Sequence, residues 1–472
     1  MYDPKSLRAE EFISHDEVLD TLAYAEANKH NSALIDAIID KARQRKGLTH
    51  REAAVLLDCD IHEKNREIYA LAEQIKKDFY GNRIVMFAPL YLSNYCVNGC
   101  VYCPYHLKNK RIARKKLNQE EVAREVRALQ DMGHKRLAIE AGEDPANNPI
   151  EYILECINTI YSIKHKNGAI RRVNVNIAAT TVENYRKLKD AGIGTYILFQ
   201  ETYHKESYER LHPTGPKHDY EYHTEAMDRA MEGGIDDVGV GVLFGLELYR
   251  YEFAALLMHA EHLEAVHGVG PHTISVPRIR RADDIDPDMF DNGIDDDTFA
   301  KLVACIRIAV PYTGMIVSTR ESKACREKVL HLGVSQISGG SRTSVGGYVE
   351  PEPEDEKSEQ FDVSDKRTLD EVVRWLMDLG YIPSFCTACY REGRTGDRFM
   401  SLCKSGEIQN CCHPNALMTL KEYLIDYASP ETKEAGDALI AAQIGSIPRE
   451  KVRGIVQRNL VNIEGGQRDF RL

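Results

Sequence analysis

Cysteine is the residue type with the clearest chemical potential in this sequence, because eight of the 12 cysteines fall into two clusters. The first cluster has the spacing Cys96-x3-Cys100-x2-Cys103. The second contains, in order, Cys386, Cys389, Cys403, Cys411, Cys412 and the adjacent His413. Thiolates gathered in this way in a reducing compartment indicate metal or iron–sulfur sites. The four isolated cysteines are predicted to be small, buried hydrophobic residues.

The first cluster could bind either iron or zinc. Three thiolates this close together can hold three irons of a [4Fe–4S] cube and leave the fourth iron open to an external ligand. The alternative is a zinc site completed by a distant residue such as His106. The spacing is unusual for zinc, which commonly has a second ligand pair near the first.

Composition and charge restrict the possible partners. The chain has 472 residues, of which 61 are basic and 73 acidic. We expect no general nucleic-acid binding, since that requires a basic surface. No stretch approaches 18 consecutive apolar residues, so no membrane span is predicted. The polar, acidic N-terminus is unlike a secretory signal. We therefore expect a cytoplasmic protein, whose thiols stay reduced.

The elements that must position the first cluster alternate between short β-rich runs and longer helix-like segments. Eight strands in a βα rhythm predict an α/β protein with a TIM-type (β/α)8 barrel. The runs lie at the region 85–90 and at 136–141, 171–177, 196–201, 237–244, 272–277, 315–320 and 334–338. The first cysteine cluster directly follows the first run, which is the end of a barrel strand where chemistry is carried out.

Several of these runs alternate between apolar and polar or small residues. Asn174 and Asn176 share one face of the third run, and Gly239 and Gly241 share one face of the fifth, while valines occupy the opposite faces. If the valines face the outer helices, the barrel lumen is polar and forms a chamber. The alternative is an open antiparallel sheet with solvated polar faces.

The sequence divides into four predicted parts. They are a helical N-terminal extension (1–80), the barrel (81–345), an acidic linker (346–365) and a C-terminal domain with the second cysteine cluster (366–472). A helix near 366–379 should run antiparallel to the eighth strand and deliver Cys386 to the bottom of the barrel. The two clusters would then face each other along the lumen.

The segment SNYCVNGCVYCPY resembles the signature of the radical S-adenosylmethionine (SAM) superfamily. In that superfamily the open iron chelates the amino and carboxylate groups of SAM, and an electron from the cluster produces a 5′-deoxyadenosyl radical. The resemblance implies that Gly142 and Glu143 hold the SAM amino group and that Glu201 reaches SAM. It leaves His223 and Arg229 as alternatives for the SAM carboxylate.

Ser318 and Arg320 point the same way at the end of the seventh run, because side chains alternate along a strand. Arginine matches a carboxylate with two parallel hydrogen bonds, so this pair suits an amino-acid substrate, although an ordinary surface ion pair is the simpler alternative. The segments FQETYHKESYERLHPTGPKHDY and STRES resemble the aromatic amino-acid lyases, including the tyrosine lyase of thiamine synthesis. That resemblance covers residues from about 80 to 340.

The spacing Cys386-x2-Cys389-x22-Cys412 resembles the tyrosine lyases of [FeFe]-hydrogenase maturation and extends the resemblance over nearly the whole chain. It implies cleavage of L-tyrosine at Cα–Cβ to p-cresol and dehydroglycine. The dehydroglycine would yield CO and cyanide, assembled as an Fe(CO)2(CN) unit for the hydrogenase H-cluster. Cys403 and Cys411 have no role in this pattern, and spacing alone cannot distinguish Cys411 from Cys412.

The resemblance also implies cofactors and partners. These are two [4Fe–4S] clusters, SAM, an extra iron bound by His272, L-cysteine as a further iron ligand, an electron donor such as ferredoxin or flavodoxin, and other hydrogenase maturation proteins. His272 could instead be a packed structural histidine, since strand periodicity groups it with Ile274 and Val276. Two other interpretations stay open: a thiamine-type lyase (2-iminoacetate synthase) with a structural second metal site, and a zinc-bound docking module in the C-terminal region.

Overall fold

The computed structural model describes residues 1–350 and 358–472, and a closed parallel barrel forms its centre. The barrel strands are β1 (Arg83–Ser93), β2 (Arg136–Ala141), β3 (Arg172–Asn176), β4 (Tyr196–Ile197), β5 (Val238–Gly241), β6 (Thr273–Ser275), β7 (Gly314–Val317) and β8 (Gln336–Ser338). Each strand pairs in parallel with the next, and β8 pairs with β1. The predicted eight-stranded barrel is confirmed, and the open antiparallel alternative is wrong.

Most strands end before the last residues of the β-rich runs that predicted them. The fourth run extends to Glu201, but β4 ends at Ile197, and Glu201 has a positive φ of 68°. A single bridge between Glu201 and Val242 continues the pairing beyond β4 and β5. The chain leaves regular strand geometry here because these residues bend around the mouth of the barrel.

A ninth strand, β9 (Ile382–Ser384), pairs in parallel with the first residues of β1. Arg83 is opposite Ile382, and Val85 is opposite Ser384. β1 can accept this extra partner because its 11 residues extend beyond the part that pairs with β2, which begins at Ala88. The strand carries the chain to Cys386 at the N-terminal end of the barrel, the end at which it was expected.

Helices cover the barrel and extend it on both sides. The N-terminal helices are α1 (Ala9–Phe12), α2 (His15–Asn28), α3 (Ser32–Ala42), α4 (His50–Asp58) and α5 (His62–Tyr80). The helices between the barrel strands are α6 (Gln119–Asp131), α7 (Ile150–Ser162), α8 (Val182–Asp190), α9 (Lys205–Leu211), α10 (Tyr220–Thr224), α11 (Ala226–Glu232), α12 (Tyr249–His267), α13 (Asp296–Ala309) and α14 (Lys323–Leu332). The C-terminal helices are α15 (Leu369–Asp378), α16 (Ala388–Arg391), α17 (Gly396–Lys404), α18 (Gln409–Asp426), α19 (Pro430–Ile444) and α20 (Glu450–Glu464). None of the helices in the described ranges has both the length and the apolar character that crossing a membrane requires.

Part of the predicted acidic linker, residues 351–357, lies outside the described residues. The end of that segment is packed against the barrel. Phe361 and Val363 are buried, and the buried Asp365 forms ion pairs with Arg326 at 2.5 Å and Arg367 at 2.6 Å. Residues 358–365 are therefore a wall of the barrel mouth.

Candidate functional site

A cavity of about 230 Å³ lies at the C-terminal end of the barrel and is called the upper cavity below. All but one of the residues predicted for the first site line it: Cys96, Cys100, Cys103, Gly142, Glu143, Glu201, His223, Ser318 and Arg320. These residues come from the ends of four different strands and from helix α10, so the barrel is what brings them together. Arg229 is the one predicted residue that does not line the upper cavity.

The loop that carries the first three cysteines is held by backbone hydrogen bonds to two neighbouring loops. Val97 N–H donates to the Glu143 carbonyl at 2.8 Å, and Gly99 N–H donates to the Thr214 carbonyl at 2.9 Å. A Cβ on Gly142 would lie 2.4 Å from the Tyr95 carbonyl oxygen, so only glycine allows this close approach. The packed loops thus form a cradle around the three thiols.

Ligand atoms close enough for a single metal ion occur together at one place in the described chain. Among residues 1–350 and 358–472, Asp296, Glu321 and Cys325 are the only group of three His, Cys, Asp or Glu ligand atoms that lie within 4.8 Å of one another.

The Asp296, Glu321 and Cys325 group is itself occupied by a side chain. The guanidinium of Arg278 lies 2.7 Å from Asp296, 3.1 Å from Glu321 and 3.3 Å from the Cys325 sulfur. Arg280 also pairs with Glu321, and its Nε donates to the Arg320 carbonyl at 3.0 Å. This network fixes the loop after β7 and needs no metal.

Burial keeps the thiols of the first triad protonated in the absence of a ligand. It raises the pKa of Cys103 to about 12 and raises the pKa of Cys100 further. Such thiols ionise when a metal replaces the proton. The donor set and the cradle therefore fit an iron–sulfur cluster.

Lys217 is a site residue that the sequence reasoning missed. Its Nζ lies 2.8 Å from Glu201 Oε1, and its backbone N–H donates to Asn98 Oδ1 at 3.0 Å. Burial opposes the charge of Lys217, but Glu201 and the neighbouring thiols outweigh it and raise the pKa. Lys217 is therefore a half-buried, charged ammonium group beside the cysteine triad. The sequence signal was its position in a Gly-Pro-Lys turn after the fourth run.

Neither of the two residues predicted for the SAM carboxylate is a free cation. His223 lines the upper cavity, but its Nε2 lies 2.9 Å from the Phe199 carbonyl oxygen, and burial lowers its pKa to about 3. Arg229 donates to the Thr180 carbonyl at 3.1 Å and stacks on Tyr222. The prediction assumed that His223 and Arg229 lie on one continuous helix. A break between α10 and α11 turns Arg229 away from the cavity.

Arg320 has the environment of a binding residue. No described residue forms a hydrogen bond or ion pair with its guanidinium, which stacks on the Phe361 ring at 3.7 Å. Ser318 lies beside it on the cavity wall and accepts a hydrogen bond from the Arg320 backbone N–H at 3.3 Å. The surface ion-pair alternative is wrong, because this guanidinium faces the cavity without an acidic partner among the described residues.

Glu140 is a second cavity residue that the sequence reasoning missed. It lies on β2 and lines the same cavity as Arg320. Burial raises the pKa of its carboxyl group to about 8, although Arg320 opposes that shift. Its signal was an acidic residue directly after three apolar residues of the same strand.

A second cavity of about 60 Å³, called the lower cavity, lies at the N-terminal end of the barrel. Cys386, Cys389, Cys412 and His272 all line it, together with three arginines. Cys403 and Cys411 do not line it, so the structure separates Cys412 from its neighbour. The Cys412 thiol donates a hydrogen bond to Cys389 and lowers the pKa of that thiol, which prepares it as a ligand.

His272 reaches the lower cavity because it precedes the first paired residue of β6. Its Nδ1 lies 3.3 Å from Asp237 Oδ1, and its ring packs against Phe399 with 4.7 Å between centroids. Asp237 is buried and also accepts a hydrogen bond from Tyr390. The Nδ1 atom forms no hydrogen bond with a described residue, so its contact with Asp237 is electrostatic and the imidazole is available to a metal.

The two cavities are separated by a single layer of lumen side chains. Phe87 of β1 lines the upper cavity and Val85 the lower one, and Ile316 and Gly314 of β7 are divided in the same way. Two residues along a strand span about 6.6 Å. The chamber predicted from the strand patterns is therefore present as two compartments, but the lining of each is more apolar than polar, so the prediction of a polar lumen is wrong.

Comparisons with known proteins agree with this architecture. Residues 90–257 match the radical SAM superfamily, and residues 275–382 match the biotin and thiamin synthesis associated domain. The 2-iminoacetate synthase of Escherichia coli (strain K12) is 30% identical over 349 residues, which are 74% of this chain and 89% of the relative.

Two crystal structures are similar over almost the full length. One, described as HydG, a maturase of the [FeFe]-hydrogenase, is 57% identical with a TM-score of 0.94 and covers 98% of this chain and 100% of its own. The other, the HydG maturase from Carboxydothermus hydrogenoformans, is 38% identical with a TM-score of 0.83 and covers 96% of this chain and 99% of its own.

Proposed function

The chain belongs to the HydG family of radical SAM [FeFe]-hydrogenase maturases, and on that premise we propose that it splits L-tyrosine between Cα and Cβ into p-cresol and dehydroglycine. Dehydroglycine would then yield CO and cyanide, released on iron as a cysteine-bound Fe(CO)2(CN) unit for the H-cluster. The observation that carries this proposal is the presence of two cysteine-lined cavities at opposite ends of one barrel.

In the upper cavity, Cys96, Cys100 and Cys103 would hold the first [4Fe–4S] cluster. When bound, that cluster and SAM supply a radical able to remove a hydrogen atom from the substrate. The residues of the chain bind and orient SAM and the substrate. Gly142 allows close backbone approach, and Glu143, held by Asn98 at 2.6 Å, would accept from the SAM amino group.

We assign the SAM carboxylate to Lys217 in place of His223 or Arg229. Lys217 is the half-buried cation next to the cysteine triad, and its ion pair with Glu201 holds its Nζ in the cavity wall. Glu201 would then contribute by orienting Lys217 as well as by reaching SAM.

Ser318 and Arg320 would bind the carboxylate of tyrosine. The support is the half-buried guanidinium, which forms no ion pair in the described part of the chain and is flanked by a hydroxyl group on the same wall. A carboxylate forms two parallel hydrogen bonds with such a guanidinium, which orients the amino acid as well as binding it.

In the lower cavity, Cys386, Cys389 and Cys412 would hold the auxiliary [4Fe–4S] cluster. His272 and L-cysteine would be ligands of the extra iron on which the product is built. An electron donor such as ferredoxin or flavodoxin would reduce the clusters, and other hydrogenase maturation proteins would receive the product.

A thiamine-type tyrosine lyase with a structural second cluster is the alternative function, supported by the 30% identity to 2-iminoacetate synthase. The two functions share tyrosine cleavage and differ in the fate of the two-carbon fragment. Anaerobic reconstitution with SAM, L-tyrosine and dithionite separates them when p-cresol, CO and cyanide are assayed together. The proposed function requires all three products, whereas p-cresol without CO and cyanide would favour the alternative.

A further inference from the structure

Three neighbouring barrel strands begin with an arginine. Arg83 is the first residue of β1, Arg136 of β2 and Arg172 of β3, and all three line the lower cavity. Arg136 and Arg172 are direct partners in the register of β2 and β3. The first residues of parallel strands share one rim of the barrel, so three guanidinium groups converge on a space of about 60 Å³.

Two of the three arginines are committed to protein partners. Arg172 donates to Asn174 Oδ1 at 2.9 Å and to Thr195 Oγ1 at 2.6 Å, and it stacks on Tyr390 at 3.5 Å. Arg83 donates to the Tyr80 carbonyl at 2.6 Å. These contacts hold both side chains against the wall of the cavity.

Arg136 is different because its bonding capacity is largely unused. Its Nη2 donates to the Cys386 carbonyl at 2.8 Å, while its buried Nε has no partner in residues 1–350 and 358–472. No carboxylate within those ranges forms an ion pair with it. A buried charge of this kind calls for a counter-ion.

The chemistry of the guanidinium group limits what that counter-ion can be, because the free volume of the lower cavity is also the space that the auxiliary cluster would occupy. Guanidinium groups favour planar carboxylates. A two-carbon α-imino or α-oxo acid has five heavy atoms and one carboxylate, and cleavage of tyrosine at Cα–Cβ leaves such a fragment.

We propose that Arg136, with the charge of Arg172 behind it, forms a carboxylate-binding subsite in the lower cavity for the two-carbon imino acid released from the substrate. The proposal rests on the proposed function for the source of that acid. Because Arg136 also contacts the loop of Cys386, the subsite would hold the fragment beside the auxiliary cluster. The competing explanation is that Arg136 only anchors the cysteine loop.

The test uses the holoenzyme with both clusters reconstituted and glyoxylate as a stable α-oxo analogue of the fragment. Arg320→Ala serves as the background, so that the upper arginine contributes no carboxylate binding. Isothermal titration calorimetry gives the glyoxylate affinity, and iron and sulfide analysis shows that the clusters are present. Arg136→Gln removes the charge, whereas Arg136→Lys keeps a charge but loses the two parallel hydrogen bonds.

Arg171→Gln is the matched control, because Arg171 is the next residue before β3 but pairs with Glu422 at 3.2 Å and does not line the cavity. We expect Arg136→Gln to weaken glyoxylate binding roughly 10- to 100-fold, as for loss of a charge-assisted hydrogen-bonded pair. The glyoxylate affinity of Arg136→Lys should lie between that of Arg136→Gln and that of the background, and the affinity of Arg171→Gln should match the background.

Unchanged glyoxylate affinity in Arg136→Gln with full iron content would overturn the proposal, as would equal weakening in Arg171→Gln. If Arg136→Gln loses iron, Arg136→Lys decides: weaker binding at full iron content supports the subsite, and background affinity assigns Arg136 to the loop alone. The p-cresol yield of otherwise wild-type enzyme is measured separately. Absence of p-cresol would refute the proposed function, whereas the glyoxylate affinities test the carboxylate subsite independently.

Discussion

Residues of the same type acquire different roles in this molecule through their partners. Arg278 and Arg326 are buried arginines that pair with carboxylates and hold loops in place. Arg136 is also buried and Arg320 is half-buried, but no described carboxylate forms an ion pair with either. Sequence reasoning could identify Arg320 because strand periodicity paired it with Ser318. It could not identify Arg136, since an arginine at the start of a strand usually reaches solvent.

Replacing Arg320 by alanine should weaken L-tyrosine binding and leave the first cluster intact. Loss of a charge-assisted, two-bond contact costs about 1.5–3 kcal/mol, or roughly a 10- to 100-fold change in affinity. Equilibrium binding of L-tyrosine to the reconstituted enzyme with SAM measures the effect. Arg281→Ala is the control, because that side chain is exposed and pairs with Asp286. Unchanged tyrosine affinity in Arg320→Ala would place the carboxylate elsewhere.

Replacing Lys217 by glutamine should weaken SAM binding by about tenfold or more, because a half-buried charged partner of the SAM carboxylate is removed. The change that SAM causes in the electron paramagnetic resonance spectrum of the reduced first cluster reports binding directly. Lys205→Gln is the control, since Lys205 forms ion pairs with Glu10 and Glu221 on the surface. Wild-type SAM affinity in Lys217→Gln would show that another residue binds the SAM carboxylate.

At the scale of elements, the barrel was predictable and its ninth strand was not. Eight runs of alternating residues specify strands because each must bury one face against helices. β9 has only three residues, and one of them is proline, so its sequence is typical of a turn. Its pairing depends on the edge of β1 that β2 leaves unpaired, which is set by the register of these two strands. Such a dependence on tertiary structure leaves no local signal.

Replacing Ile382 by alanine tests whether β9 positions the second cysteine triad. Ile382 is fully buried, and removing its side chain should cost about 2–5 kcal/mol by leaving a cavity. The lost stability mainly affects the C-terminal region. We therefore expect the auxiliary cluster to be released at a lower urea concentration than the first cluster. Iron content and the cluster absorbance during urea titration measure this. Simultaneous loss of both clusters would contradict a local role for β9.

At the scale of the whole molecule, the two cavities assign the two parts of the proposed reaction to opposite ends of the barrel. The first cysteine triad, Ser318 and Arg320 belong to the upper cavity, and the second triad belongs to the lower one. The sequence allowed this division to be predicted because the two cysteine clusters follow different elements. The thin separation between the cavities could not be predicted, since it depends on which lumen side chains meet.

Replacing Cys386 by serine should separate the two parts of the reaction. The variant should still consume SAM and L-tyrosine and release p-cresol, because the upper cavity is unchanged. It should fail to produce iron-bound CO and cyanide, because the auxiliary cluster loses a ligand. Infrared spectroscopy of iron-bound CO and cyanide and chromatography of p-cresol measure the two parts, with Cys411→Ser as the control. Loss of p-cresol together with CO would contradict the separation, and so would wild-type yields of iron-bound CO and cyanide.

The single layer of side chains between the cavities also affects how well a fragment added to the solution can compete with the fragment formed inside the barrel. One molecule confined to the two cavities, about 230 and 60 Å³, is present at an effective concentration on the order of several molar. Millimolar amounts of the same fragment in the surrounding solution cannot compete with it for the lower end of the barrel. When tyrosine carries an isotopic label and the medium contains the unlabelled fragment, the label should therefore reach the products almost undiluted.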